Sequence, residues 1–276
     1  MTEIHPTAVI SSSASLDESA IIGPYAVIND DVIIGPGTEI GPHVIVGRWT
    51  RIGANNRIHT GAVVGTDSQD LKYKGGRTFC NVGDGNIFRE YVTINRSSKE
   101  DEATVVGNDN IINAYCHIAH DCIVGNRILI ENLSTLAGHV LVHDGVRIGS
   151  YVGVHQFCRI GTLSAIDSGI KVVKDIPPFV KVSGTPGSVI GLNLDGLDES
   201  SIGEPARQSL QCAYGIIYLT QRNVSQAIEQ IRENVEVTPE IETVLSFLSA
   251  SKRGICKNSD PNGDFHLDAS QVFPLV

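Results

Sequence analysis

The chain reads as an all-β solenoid with a small α-helical domain at its C-terminal end. An aliphatic residue recurs at every sixth position, as at Ile118, Val124, Ile130, Leu136, Val142, Ile148, Val154 and Ile160. Glycine often follows it, as at Gly23, Gly35, Gly41, Gly125 and Gly149. Beyond about residue 204 that period gives way to helical spacing. A helix would place its apolar residues three and four apart, so a period of six belongs to hexapeptide repeats, the sequence form of a parallel β-helix. One hexapeptide cannot bury its aliphatic residue alone; stacked coils make one core.

The register runs from Ile4 through Ile10, Leu16, Ile22, Ile28, Ile34, Ile40, Val46, Ile52 and Ile58 to Val64. His5, Pro6 and His43 are expected as turn and surface residues. The register lapses over Thr66 to Asn81, TDSQDLKYKGGRTFCN, and Val64 and Val82 stand eighteen residues apart. That is a multiple of six, so an irregular coil or an extruded loop fits equally, and such excursions commonly line a binding site. A second lapse at 97–104, SSKEDEAT, reads as a surface turn. The helix then continues from Val106 to Val172 until KVVKDIPP, where two prolines remove backbone donors. The β-helix domain is therefore placed at 1–178 and a Gly-, Ser- and Asn-rich linker at 179–203.

A helical domain at 204–256 follows. Leu210, Ala213, Tyr214, Ile217 and Tyr218 have helical spacing, Asn223 with Gln226 resembles a capping box, and Thr238 before Pro239 opens another helix. This domain would cover the open strand edges of the last coil. The tail, 257–276, shows no periodicity and reads as disordered or as an extended arm.

Of 276 residues 41% are hydrophobic, and the net charge is -10. That balance argues against nucleic acid as the main partner, because backbone binding needs a basic face. The opening residues show no leader pattern, and no apolar run is long enough to span a bilayer, so the chain is expected to be cytoplasmic and to begin at Met1. Cys80, Cys116, Cys122 and Cys158 each lie two residues before a register aliphatic, in the slot that Ala8, Ala14, Ala20 and Ala26 fill elsewhere. They are expected as small core residues, since free cysteine packs as a hydrophobe. Cys212 and Cys256 have no partner suggested by sequence, and no cofactor or metal is expected.

If three hexapeptides make one coil, residues eighteen apart stack at about 4.8 Å per step. His120, Gly138 and Gln156 then form one column, flanked by His139 and His155. Three histidines and two groups suited to hydrogen bonding fall on one edge of successive coils, which suggests a site; His117 and His143 are neighbours of it or turn residues.

Five motifs carry a family resemblance: QDLKY at Gln69 to Tyr73, HIAHDC at His117 to Cys122, LAGHV at Leu136 to Val140, VHQFCRIG at Val154 to Gly161, and DIPPF at Asp175 to Phe179. Together they resemble the UDP-N-acetylglucosamine O-acyltransferases of lipid A biosynthesis, over about residues 1 to 256. The resemblance implies a left-handed parallel β-helix, assembled as a homotrimer with active sites in the clefts between subunits. It implies transfer of a (3-hydroxy)acyl chain from acyl carrier protein to the 3-hydroxyl of UDP-N-acetylglucosamine. By the same resemblance His120 is the general base, Asp121 orients its imidazole and the Gly138 N–H holds the oxyanion. Imidazole suits a base because its unperturbed pKa is about 6.5. Asp70 and Lys72 would contact sugar or acyl groups, and His117, His139, His155 and Gln156 would position the nucleotide sugar. Asn193 and Asp195 would reach the nucleotide, and Ser168 would occupy the position that sets acyl-chain length.

The pattern departs from the family in two places. After Gly196 and Leu197, where the family carries a basic run that reaches the diphosphate, this chain has Asp198, Glu199 and Ser200. Phosphate favours cations there, so either another cation such as Arg207 substitutes or the acceptor differs. Asn95 stands where histidine is frequent. An N-acyltransferase acting on a 3-amino-sugar nucleotide is thus the second reading, and a zinc lyase the third. The latter needs three histidines about 2.0–2.1 Å from the metal, and the sequence has no H-x4-H pair.

Overall fold

The structure, a computed structural model, describes residues 3–220 and 222–258. The hexapeptides fold as short strands on three faces of a prism, joined in parallel between coils. Among the described residues face one has eleven strands and starts with Glu3–Ile4, face two has nine starting with Val9–Ile10, and face three has eight starting with Ser15–Leu16. The winding is left-handed, against the usual right-handed crossover.

Pairing confirms the eighteen-residue coil, with Ile22 beside Ile40 and Ile118 beside Leu136. The register aliphatics point inward, and Ile22, Ile40, Ile58, Ile94, Ile118, Ile130 and Ile148 are buried. Cys80, Cys116, Cys122 and Cys158 are buried among them as free thiols. The Cys116 and Cys122 Sγ atoms donate to the Glu131 and Ala137 carbonyls at 2.9 and 3.2 Å. Burial pushes the Cys80 and Cys122 thiols up to about 12, so they stay protonated and inert. Glycine after the aliphatic answers a close approach: a Cβ at Gly35 would stand 2.7 Å from the Gly53 backbone of the next coil.

Both lapses in the register are loops extruded from the same edge, where face two turns into face three. The first leaves the strand Val63–Thr66 and re-enters at Phe79–Val82; the second leaves Thr93–Asn95 and re-enters at Ala103–Val106. Across them the partners are thirty and twenty-four residues apart, Val64 with Ile94 and Ile94 with Ile118, so each loop adds whole hexapeptides and the register survives.

The segment expected as a linker, 179–203, is instead largely part of the sheet. Strands Val180–Ser183 and Ser188–Leu192 form an antiparallel hairpin that extends face one, with Val180, Val182 and Val189 buried. Gly184, Pro186 and Gly187 make its turn, and they are what gave the segment its linker-like composition. Among the described residues four helices follow: α1 (Leu194–Glu199), α2 (Glu204–Leu219), α3 (Val224–Asn234) and α4 (Pro239–Ser249). The Asn223–Gln226 capping box and the Thr238 cap before Pro239 form as the sequence predicts.

The helices are joined to the solenoid by buried polar contacts. The Arg159 guanidinium lies 4.3 Å above the Phe247 ring and donates to its carbonyl, while buried Asp175 accepts from the Arg159 N–H and the Ser251 hydroxyl. Tyr214, fully buried in α2, donates to the Pro178 carbonyl. No helix among the described residues is long and apolar enough to cross a membrane. The tail from 259 onward lies outside the described residues.

Candidate active site

The edge between faces two and three holds the polar column that the spacing predicts. His120 lies between strands His117–Ile118 and Ile123–Val124, Gly138 one coil on and Gln156 one coil further. The coils are tied there by backbone bonds, the His139 N–H donating to the His120 carbonyl at 3.1 Å and the Phe157 N–H to the Gly138 carbonyl at 3.2 Å. Asp121, His139 and Phe157 all have φ between 61° and 65°. The same left-handed turn recurs along the solenoid, at Tyr25, His43, Asn55, Tyr115 and Tyr151 among others, so it belongs to the corner of each coil and sets where these side chains leave the wall.

His120 Nδ1 and Asp121 Oδ2 are 2.6 Å apart, and the two side chains are only 12% and 5% exposed. Burial works to raise the Asp121 pKa. Hydrogen bonds from the Ser97 and Ser98 hydroxyls, from His120 and from the Ser98 N–H outweigh it and hold the carboxyl at about 2. The acid is therefore ionised near neutrality and accepts the His120 Nδ1–H, which leaves Nε2 as the ring nitrogen open to chemistry. His120 Nε2 makes no hydrogen bond to any described residue. The Gly138 N–H, beside the same ring, also lacks a partner among the described residues.

His139 meets His120 edge to face, with centroids 5.3 Å apart, stacks on Phe157 at 4.6 Å, and has its Nε2 3.5 Å from Asp121 Oδ2. Burial lowers its pKa and Asp121 resists, while His120 and Lys99 push it down. Asp70 also raises it, so the first loop brings its carboxylate within electrostatic reach of the cluster. His117 shares a hydrogen with Thr93 Oγ1 at 2.8 Å and is pushed down by burial and by His120. His120, Asp121 and His139 offer ligand atoms within 4.8 Å of one another. The Asp121 oxygens, however, are already occupied by Ser97, Ser98 and His120, so a cation there would have to displace hydrogen bonds.

The other residues singled out in the sequence divide by edge. His155 and Gln156 are exposed on the edge of His120, with His155 Nδ1 3.1 Å from the Gln156 carbonyl. Asp70 and Lys72 belong to the first loop, where the Lys72 N–H donates to Asp70 Oδ1 at 2.9 Å. Ser168 lies between strands Ala165–Ile166 and Lys171–Val172, where face one turns into face two, so within one chain it is not on the edge of His120. Its hydroxyl accepts from the Ser150 N–H at 3.0 Å. Asn193 is buried and caps α1, its amide donating to the Leu163 carbonyl and accepting from the Gly196 N–H. Asp195 is exposed in the first turn of α1. His143 belongs to the edge between faces three and one, away from His120. Asp198 is paired with Arg207, Oδ1 to Nη1 at 2.6 Å, and Glu199 with Arg147, so Arg207 is not a free substitute for the missing cations.

The segment 97–104, expected as a mere surface turn, is the chief correction. Ser97 is fully buried and with Ser98 it encloses Asp121. Sequence reasoning missed both serines because the register lapses over them; Phe157, eighteen residues after His139, was within reach of the column rule. Sequence reasoning also missed Arg96, which is 7% exposed. It pairs with Asp67 and bonds Thr78 Oγ1 at 3.2 Å and Tyr73 Oη at 3.3 Å, pinning the first loop.

Comparison with known proteins places this architecture among relatives. Residues 175–256 match the family model described as UDP N-acetylglucosamine O-acyltransferase, domain 2, and residues 13–48 match that of the bacterial transferase hexapeptide. The chain is 45% identical over 262 residues to the acyl-[acyl-carrier-protein]–UDP-N-acetylglucosamine O-acyltransferase of Burkholderia lata, covering 93% of this chain and 100% of the relative. It is 42% identical over 196 residues to the protein of the same name from Gloeothece citriformis, covering 71% of each. In structure it is similar to the UDP-N-acetylglucosamine acyltransferase of Francisella novicida, with a TM-score of 0.91 and 37% identity over 96% of this chain and 98% of that one.

Proposed function

This chain belongs to the UDP-N-acetylglucosamine O-acyltransferase family, and from that premise we propose that it moves an acyl chain, hydroxylated at C3 or not, from an acyl carrier protein to the 3-hydroxyl of UDP-N-acetylglucosamine, the opening step of lipid A biosynthesis. The observation that carries the mechanism is the His120–Asp121 pair, an imidazole held by an ionised carboxylate with its second nitrogen unengaged. Nε2 takes the proton of the sugar hydroxyl as that oxygen attacks the thioester carbonyl. The C–O bond forms, negative charge collects on the former carbonyl oxygen, and the Gly138 N–H stabilises it. As the intermediate collapses the C–S bond breaks, and the imidazolium returns its proton to the departing thiolate. No cofactor enters this sequence.

Asp70, Lys72, His117, His139, His155 and Gln156, on the same edge or its loop, would position the sugar nucleotide and acyl group. Ser168 and Asp195 lie elsewhere on the chain. Assembly as a homotrimer, which sets an edge of one copy against another edge of the next, would let a neighbouring Ser168 limit the acyl chain. Asn193 contributes through the placement of α1, since its amide is engaged. The ion pairs of Asp198 and Glu199 offset the negative charge of that run but occupy Arg207 and Arg147, so a 3-amino-sugar acceptor stays the second reading.

Incubating the protein with acyl carrier protein thioester and, in turn, UDP-N-acetylglucosamine and its 3-amino analogue tests the reading. Ester formation on the 3-hydroxyl is expected; turnover confined to the 3-amino sugar overturns it.

A further inference from the structure

Apart from His120, the groups that donate to the Asp121 carboxylate do not come from its own coil. Ser97 Oγ donates to Asp121 Oδ1, the Ser98 N–H donates to the same oxygen at 3.0 Å, and Ser98 Oγ donates to Oδ2 at 2.6 Å, beside His120 Nδ1 on that oxygen. All three arrive from 23 or 24 residues earlier, from the one excursion between Asn95 and Ala103. The serines are themselves fixed. The Ser97 N–H donates to the Phe79 carbonyl at 3.1 Å, the Lys99 N–H donates to Ser97 Oγ at 3.1 Å, and the Asp121 N–H donates to Thr104 Oγ1 at 2.8 Å.

A carboxylate in this place has two imidazoles to choose between, since His139 Nε2 is 3.5 Å from the oxygen that receives His120. Two hydroxyls and one N–H arranged around it leave a single orientation in which every donor is satisfied, and that orientation serves His120. Hydroxyl and N–H donors also favour the charged form of an acid that burial would otherwise push towards neutrality.

We propose that Ser97 and Ser98 are positioning residues for the transfer reaction: their hydroxyls hold Asp121 in the orientation that receives His120 Nδ1–H and keep it charged there. This rests on the reading of His120 as the base. The excursion at 97–102 thereby gains a function, delivering two hydroxyls to a carboxylate that its own coil leaves with a single side-chain partner.

The test follows the Asp121 carboxyl directly by carbon NMR in aspartate-labelled protein between pH 7 and pH 4, identified by the signal lost in Asp121→Asn. Wild-type Asp121 should stay ionised throughout. In the S97A/S98A double variant it should begin to take up a proton within that window, and the acid limb of kcat/KM should move to higher pH. kcat should fall about tenfold for each hydroxyl lost, the worth of a hydrogen bond to a charged group. KM for the sugar nucleotide should change by less than about threefold. Ser98→Thr, which keeps the hydroxyl, should retain both the titration and most of the rate. A double variant whose Asp121 is still fully ionised at pH 4, or whose loss is confined to KM, overturns the proposal. If the wild-type protein fails to turn over the sugar nucleotide, the functional reading falls, while the carboxyl titration still decides on the serines.

Discussion

Gly138 is tied to its identity by contact with a single ring: a Cβ there would lie 2.6 Å from His120 Cε1 and 2.8 Å from its Nε2. Gly138→Ala must push the imidazole off Asp121, and it should lower kcat by about 10² or more, comparable to the loss of an oxyanion donor. His120→Ala should cost about 10²–10⁴ in rate, with nucleotide affinity and assembly retained, as single-turnover kinetics and equilibrium binding would show. Asp121 makes a prediction of opposite character, about stability. Its folded-state pKa, about 2, lies below the unfolded value, so its stabilising contribution is complete above about pH 4 and drains away as pH falls towards 2. Melting temperatures taken across that interval should fall less steeply in Asp121→Asn than in the wild type.

At the scale of elements, the first loop is a structure in its own right, because Arg96 is nearly buried beneath it. The guanidinium pairs with Asp67 and lies 5.2 Å from the Trp49 ring and 5.9 Å from that of Tyr73. Arg96→Gln should free the segment 66–78 and raise trypsin cleavage after Lys72 and Lys74 by about tenfold, as expected when a buried charged contact is lost. Trp49 is the only tryptophan of the chain, so its emission should shift at the same time. How far such elements were legible beforehand depended on periodicity. The column of His120, Gly138 and Gln156 follows from the eighteen-residue coil, and the helix starts follow from the chemistry of Asn223 and Thr238. The hairpin at 180–192 was hidden because its alternation spans only Val180, Val182 and Val189 and is broken by turn residues. Ser97, Ser98 and Arg96 were illegible for a different reason: they lie at the mouth of an excursion, where no repeat relates them to the partners they reach.

For the whole molecule, each coil touches only its neighbours, so stability is close to a sum of local terms. Ile118→Ala, at a fully buried central position, should cost about 2–5 kcal/mol and lower the melting temperature of the entire solenoid. Ile22→Ala removes the same side chain near the N-terminal end, where Ile4 is 44% exposed and no cap covers the first described strand. Its effect should instead appear as faster hydrogen exchange confined to the first two coils.

Both excursions leave and rejoin the wall at one corner, and each is longer than a plain turn by complete hexapeptides, so the count of rungs is never disturbed. Exchanging residues 68–72 for a different segment, which keeps Asp67 and Tyr73 against Arg96, would therefore displace no strand from its partner. What is admitted to the histidines is separable from what keeps the chain folded, and this corner is open to retailoring, by descent or by design, while the ladder behind it stays as it is.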